Sequence, residues 1–150
     1  MNPPPAVRAA MREWQAVTDD LVAIARAFAP ARWDAPSACG GWTNRQLLVH
    51  LATGYGVRIA ALQAAVEGTP AHEIDADAAN ARNVERLAGA AAEEIIAELV
   101  QVRGRVLVLL ARLAAEHLDA RITLGGGKPL REALATLGQH DLEHAAELRG

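Results

Sequence analysis

The sequence has little of several residue types on which other protein classes depend. Cys39 is the only cysteine and Lys128 the only lysine, and the 150 residues include one Phe, one Tyr and three Trp. A single cysteine excludes an internal disulfide and a cysteine-based zinc knuckle. The 14 arginines are scattered and the formal net charge is -3, so no basic cluster is available to attract nucleic acid or an anionic membrane. We therefore expect neither as a partner.

Signals for export and membrane insertion are also absent from the sequence. The first residues, Met-Asn-Pro-Pro-Pro, contain neither the basic region nor the apolar region of a secretory signal. No apolar run approaches the roughly 18–20 residues of a membrane span. These absences predict a cytoplasmic protein, and the length predicts a single domain over residues 1–150.

The pattern that the sequence does contain is helical. In four segments, apolar residues recur at alternating spacings of 4 and 3, which places them on one face of a helix. Thr43 and Gln46 have the spacing of a capping box at the start of the second segment. The predicted helices cover approximately residues 5–29, 43–67, 77–117 (with a bend near Gly89) and 129–148. Four amphipathic helices of this length predict an all-α, four-helix bundle.

Three histidines lie on the predicted core side of these helices. His140 and His144 are four residues apart, so their imidazoles stack on one face about 6 Å apart and can bind one ion. His50 lies on the second helix, on a face that it shares with Gly54. Three imidazole ligands leave a coordination position open, as in catalytic metal sites, and suit Zn, Ni, Fe or Cu. The alternative is three histidines that are satisfied separately.

Polar residues near the histidine pair are candidates for supporting roles. Asp141 falls in the apolar seam of the last helix, where it could orient a ligand imidazole or handle a proton. Glu147 extends the face of the pair, with capping or solvation as the more common role. Gly54 either leaves room for a ligand or allows close helix contact, and Cys39 is either a reactive thiol or a small buried residue. His72 is predicted in an exposed loop, outside the site.

The order and spacing of several motifs resemble the DinB/YfiT-like superfamily. The opening of the chain carries Trp33-Asp34, Gly41-Trp42-Thr43 and His50-Leu51, and the last helix carries the stretch from His140 to Arg149. The resemblance extends over essentially the whole chain. The motif sequences are most similar to those of the N-terminal domain of the mycothiol-dependent maleylpyruvate isomerase. That enzyme has Glu where this chain has His140, and it also has a C-terminal domain.

The resemblance implies a four-helix bundle in which His50, His140 and His144 hold a divalent metal, with Zn or Ni expected. It also implies a homodimer and a small-molecule substrate used with mycothiol or another low-molecular-weight thiol. We therefore expect a thiol-dependent S-transferase or isomerase, with Asp141 as the catalytic residue. The alternatives are a hydrolase that uses metal-bound water, and a non-catalytic dimeric module that binds a metal or small ligand.

Overall fold

The computed structural model describes residues 2–70, 75–122 and 127–150. Within these ranges the regular secondary structure is helical, apart from two isolated bridges that pair Pro36 with Thr43 and Arg121 with Pro129. The helices are α1 (Pro5–Ala27), α2 (Pro30–Trp33), α3 (Asn44–Thr53), α4 (Gly56–Glu67), α5 (Ala76–Leu87), α6 (Ala92–Ala111), α7 (Leu130–Ala135) and α8 (Gln139–Arg149), with a 3₁₀ turn at Ala115–His117. The all-α prediction is confirmed.

Four layers of helix form the bundle: α1, the consecutive pair α3 and α4, α6, and the consecutive pair α7 and α8. Helix α6 packs against α1, α3 and α4, while α8 packs against α1 and α3. Helix α5 lies outside the four layers, against α3. Residues of the predicted stripes fill the core, among them Trp14, Leu21, Leu51, Leu99, Val106 and Leu148, each with 1 % or less of its surface exposed. The apolar periodicity therefore identified the faces that are buried.

Three of the four predicted helices are interrupted. The second divides after Thr53, the third between Leu87 and Ala92, and the fourth at residues 136–138. Two of these breaks contain a glycine, Gly54 or Gly138, through which the prediction from apolar spacing continued the helix. Glycine destabilises a helix interior, which explains why the helix breaks there. The bend predicted at Gly89 is a complete break between α5 and α6.

The end of the first helix also differs from the prediction. Helix α1 ends at Ala27, and Pro30 begins the short helix α2 inside the predicted loop of residues 30–42. Proline has no backbone N–H and cannot continue α1, but it suits the first turn of a new helix. Arg32 of α2 accordingly donates its backbone N–H to the carbonyl of Ala29.

Some expectations concern residues outside the described ranges. The loop predicted around His72 is among them. In the ranges that the structure does describe, no helix has the length and apolar character needed to cross a membrane.

Candidate metal centre

Helices α3 and α8 position the three histidines. The capping box predicted at α3 is present: the Thr43 hydroxyl accepts the backbone N–H of Gln46, and the Gln46 side chain accepts the backbone N–H of Thr43. This cap fixes the start of α3, two turns before His50. Helix α8 presents His140 and His144 one turn apart, and α8 packs against α3. The three imidazoles therefore meet between α3 and α8.

The geometry of the three rings suits a single metal ion. One ring nitrogen from each of His50, His140 and His144 lies within 4.8 Å of the others. The Nε2 atoms of His50 and His140 are 3.1 Å apart, close to the roughly 3.3 Å between two nitrogens on a tetrahedral zinc with bonds of about 2.0–2.1 Å. All three side chains are half-buried. The donor set thus fits a divalent metal that keeps an open position.

The charge state of the rings is also suited to metal binding. Burial lowers the pKa of His50. Burial, together with the nearby charge of His144, lowers the pKa of His140 to about 4. Both imidazoles are therefore neutral at neutral pH, which is the form that donates a lone pair to a metal.

Glu147 supports the site by orienting one of the rings. Its Oε2 atom lies 2.5 Å from the Nδ1 atom of His144, one turn away on α8. A carboxylate on one ring nitrogen fixes the tautomer and leaves the other nitrogen to bind a metal. The sequence suggested this orienting role for Asp141, and the structure places Glu147 in it.

Asp141 instead forms part of a buried polar cluster beneath the site. Its carboxylate accepts hydrogen bonds from the Tyr55 hydroxyl and, at 2.6 Å, from the Arg103 guanidinium. Asp141 and Arg103 have 0 % and 1 % of their surface exposed. Burial raises the pKa of Asp141, while the adjacent guanidinium favours the ionised form, so we describe the contact as an ion pair. The catalytic role expected for Asp141 stays a prediction.

Sequence reasoning did not include Arg103 in this region. Arg103 lies in the middle of the apolar stripe of α6, next to Val102 and one turn before Val106 and Leu107. Arg103 interrupts the apolar stripe of α6 with a positive charge, and Asp141 interrupts the apolar stripe of α8 with a negative charge. Their complementary charges are the signal that could have predicted the pair.

Cys39 lies on one side of the triad. Its sulfur is within 4.8 Å of ligand atoms of His144 and Glu147. Burial and the neighbouring Glu147 carboxylate raise the pKa of the thiol, so Cys39 is protonated at neutral pH. Of the two sequence interpretations, these surroundings favour the unreactive one.

A cavity of about 180 Å³ opens beside His50 and His140. Gly54 forms part of its wall, and a Cβ atom at this position would lie 2.7 Å from the carbonyl oxygen of His50 and 3.6 Å from the Asn80 side chain on α5. The glycine therefore allows close contact with α5 and also keeps the space beside the His50 ring open. Arg58, which sequence reasoning did not single out, lines the same cavity.

Comparisons with known proteins agree with this architecture. The family model of the DinB superfamily matches residues 13–148. The crystal structure of the mycothiol-dependent maleylpyruvate isomerase is similar in fold, with a TM-score of 0.82 at 14% sequence identity, over 95% of this chain and 60% of that chain. A histidine-to-alanine mutant of the isomerase gives a TM-score of 0.79 at 15% identity, with the same coverage. The chain thus spans about 60% of the length of these relatives. No curated protein matches the chain.

Proposed function

Because this chain belongs to the DinB superfamily, we propose that it is a divalent-metal-dependent enzyme that uses a low-molecular-weight thiol of the mycothiol type, as an S-transferase or an isomerase. The observation that carries the proposal is the convergence of three ring nitrogens, from His50, His140 and His144, within 4.8 Å of one another. Zn or Ni suits three imidazoles, with a position left for a thiol. The likeness of fold to the mycothiol-dependent isomerase supports the thiol.

In this proposal the residues of the chain have separate roles. His50, His140 and His144 hold the metal, which when bound would lower the pKa of a thiol and make it nucleophilic at neutral pH. Glu147 orients His144 through the 2.5 Å contact. The cavity of about 180 Å³ beside His50 and His140 admits the substrate.

Thiol-dependent turnover tests the proposal. The zinc-loaded and nickel-loaded proteins would be assayed with mycothiol, bacillithiol and glutathione, using chlorodinitrobenzene as the S-transfer electrophile and maleylpyruvate as the isomerase substrate. We expect turnover that requires both metal and one of the thiols. His50→Ala should reduce it to background. His117→Ala is the matched control, because His117 lies in the 3₁₀ turn and accepts the backbone N–H of Ala114.

Other outcomes would contradict the proposal. Turnover of ester or amide substrates without any thiol would indicate a hydrolase. A tightly held metal without turnover of any substrate would indicate a binding module. Equal turnover rates for the wild type and His50→Ala would show that the activity does not depend on the histidine site.

We further propose that residues 1–150 act as a single domain, that the protein is a homodimer, and that it is cytoplasmic. Light scattering of the purified protein measures the oligomeric state, with twice the 15.9 kDa chain mass as the expected result. Cell fractionation tests the location.

A further inference from the structure

Arg58 lines two cavities. It is the third residue of α4 and is half-buried. One cavity is the space of about 180 Å³ that His50 and His140 line. The other, of about 210 Å³, is lined by Arg58 and by residues of α7. A group bound to the Arg58 guanidinium would therefore be held next to the proposed metal centre.

The charge of Arg58 is not balanced within the described part of the chain. Arg58 and Arg103 both lie against the Tyr55 ring, with Cζ atoms 4.8 Å and 5.1 Å from its centroid. Arg103 has the Asp141 carboxylate as its partner. No ion pair to Arg58 is present among residues 2–70, 75–122 and 127–150. Of these two arginines, therefore, only Arg103 has a carboxylate partner among the described residues.

The half-buried position of Arg58 also weakens its hydration. Burial lowers the pKa of Arg58, which is the effect of partial dehydration on a cation. An anion bound to the guanidinium would replace part of this lost hydration with a charge-assisted hydrogen bond.

The residues that line the second cavity suit an organic acid with an apolar part. Among the described residues, its walls carry a second cation, Lys128, and no carboxylate. The apolar wall residues are Leu62, Ile122, Leu130, Ala133, Leu134 and Leu137. A guanidinium forms two parallel hydrogen bonds with a carboxylate, and the leucine-rich wall suits a hydrocarbon chain.

We propose that Arg58 binds the carboxylate of a small organic acid, whose apolar part occupies the cavity of about 210 Å³. The assignment of this acid as the second substrate, beside the thiol, rests on the proposed function. Binding of the acid to Arg58 does not depend on that function, since neither Arg58 nor the cavity needs the metal.

Binding of hexanoate tests the inference, with hexanamide as the neutral probe of the same length. Calorimetry on the metal-free and the zinc-loaded protein should show binding of hexanoate in both states and much weaker binding of hexanamide. Arg58→Gln should weaken hexanoate binding about ten- to a hundredfold, the effect of losing a charge-assisted hydrogen bond. Arg105→Gln is the matched control, because Arg105 is exposed on α6, and it should leave the affinity unchanged.

Equal affinity of wild type and Arg58→Gln for hexanoate, or equal binding of hexanamide and hexanoate, would overturn the inference. If Arg58→Gln fails to fold, Arg58→Lys is the second variant, because lysine keeps the positive charge but cannot form two parallel hydrogen bonds with a carboxylate. An intermediate affinity of Arg58→Lys for hexanoate would support the inference, and an unchanged affinity would contradict it. Hexanoate binding through Arg58 without any thiol turnover would contradict the proposed function alone. Thiol turnover of acid substrates whose KM is the same in Arg58→Gln would contradict this inference alone.

Discussion

At the scale of single residues, the site depends on groups that hold the histidines as much as on the histidines themselves. His50 reaches the centre from α3, whereas His140 and His144 come from α8. The Nδ1 atom of His50 is buried without a hydrogen-bond partner in the described part of the chain, and the Trp42 ring packs edge-on against the imidazole, with the ring centroids 5.0 Å apart. His144, by contrast, is held by the carboxylate of Glu147.

Replacing Glu147 should weaken metal binding without removing a ligand. We expect Glu147→Gln to lower the affinity for zinc about 10- to 100-fold, because the amide is a weaker acceptor for the His144 ring. Competition with a chromophoric chelator measures the affinity. Glu143→Gln is the control on the same helix, since Glu143 is exposed and bonds only to Gln139 among the described residues. Equal losses in both variants would show that Glu147 acts through the charge of the helix alone.

Breaking the buried ion pair should reduce stability strongly. Arg103→Met leaves the Asp141 carboxylate buried without a cation, and we expect a loss of about 3–5 kcal/mol in the free energy of unfolding, measured in urea. Arg131→Met is the control, because Arg131 and its partner Asp119 are 54% and 79% exposed, and it should cost less than about 1 kcal/mol. The double variant Arg103→Met/Asp141→Leu should recover much of the loss. A small effect of Arg103→Met would contradict the description of the Arg103–Asp141 contact as a buried ion pair.

At the scale of helices, the sequence predicts which faces are buried better than it predicts where a helix ends. Spacings of 4 and 3 identify the core side of Trp14, Leu51 and Leu99 because burial on one face requires that period. The divisions at Thr53–Gly56 and at residues 136–138 escape this reasoning, since the stripe runs through both breaks. The capping box at Thr43 was predictable because it depends only on local hydrogen bonds.

The break at Gly54 can be tested against its neighbour, Gly56. We expect Gly54→Ala to destabilise the protein by about 1–3 kcal/mol and to weaken zinc binding, because the added Cβ would meet the His50 carbonyl at 2.7 Å. Gly56→Ala should be neutral or stabilising, since nothing lies within 4 Å of its Cβ position. Urea unfolding and zinc titration compare the two variants. Equal free energies of unfolding and equal zinc affinities would show that position 54 does not specifically require glycine.

The sequence indicated the histidine triad but not its surroundings, for a physical reason. His140 and His144 are neighbours on one helix, so local geometry brings them together. His50 was added by its core-side placement and, more heavily, by the family resemblance. The partners of Asp141 and the position of Arg58 depend on contacts between helices that are far apart in sequence. Helical periodicity contains no information about which charged residues on different helices meet.

At the scale of the whole molecule, a metal at this site would connect two layers of the bundle. Helix α3 and helix α8 are separated by more than 80 residues of sequence, and the triad joins the last turn of α3 to the first half of α8. A ligand that binds only the folded state stabilises it in proportion to its affinity and concentration. The bundle should therefore be more stable with metal than without it.

Thermal unfolding measures this linkage. With free zinc at about 100 times its Kd, we expect about 2.7 kcal/mol of added stability, which for a chain of this size raises the Tm by about 5–10 °C. Treatment with a chelator should reverse the shift. His50→Ala should show a much smaller shift, while His117→Ala should match the wild type. A shift of the same size in both variants would mean that zinc binds elsewhere.

The most direct test of the central claim, that His50, His140 and His144 hold one divalent metal, is a crystal structure of the zinc-loaded protein with anomalous data collected on both sides of the zinc absorption edge. We predict one anomalous peak per chain, with a ring nitrogen of each of the three histidines about 2.0–2.1 Å from it. No peak between the imidazoles, or a peak bound by other residues, would contradict the account.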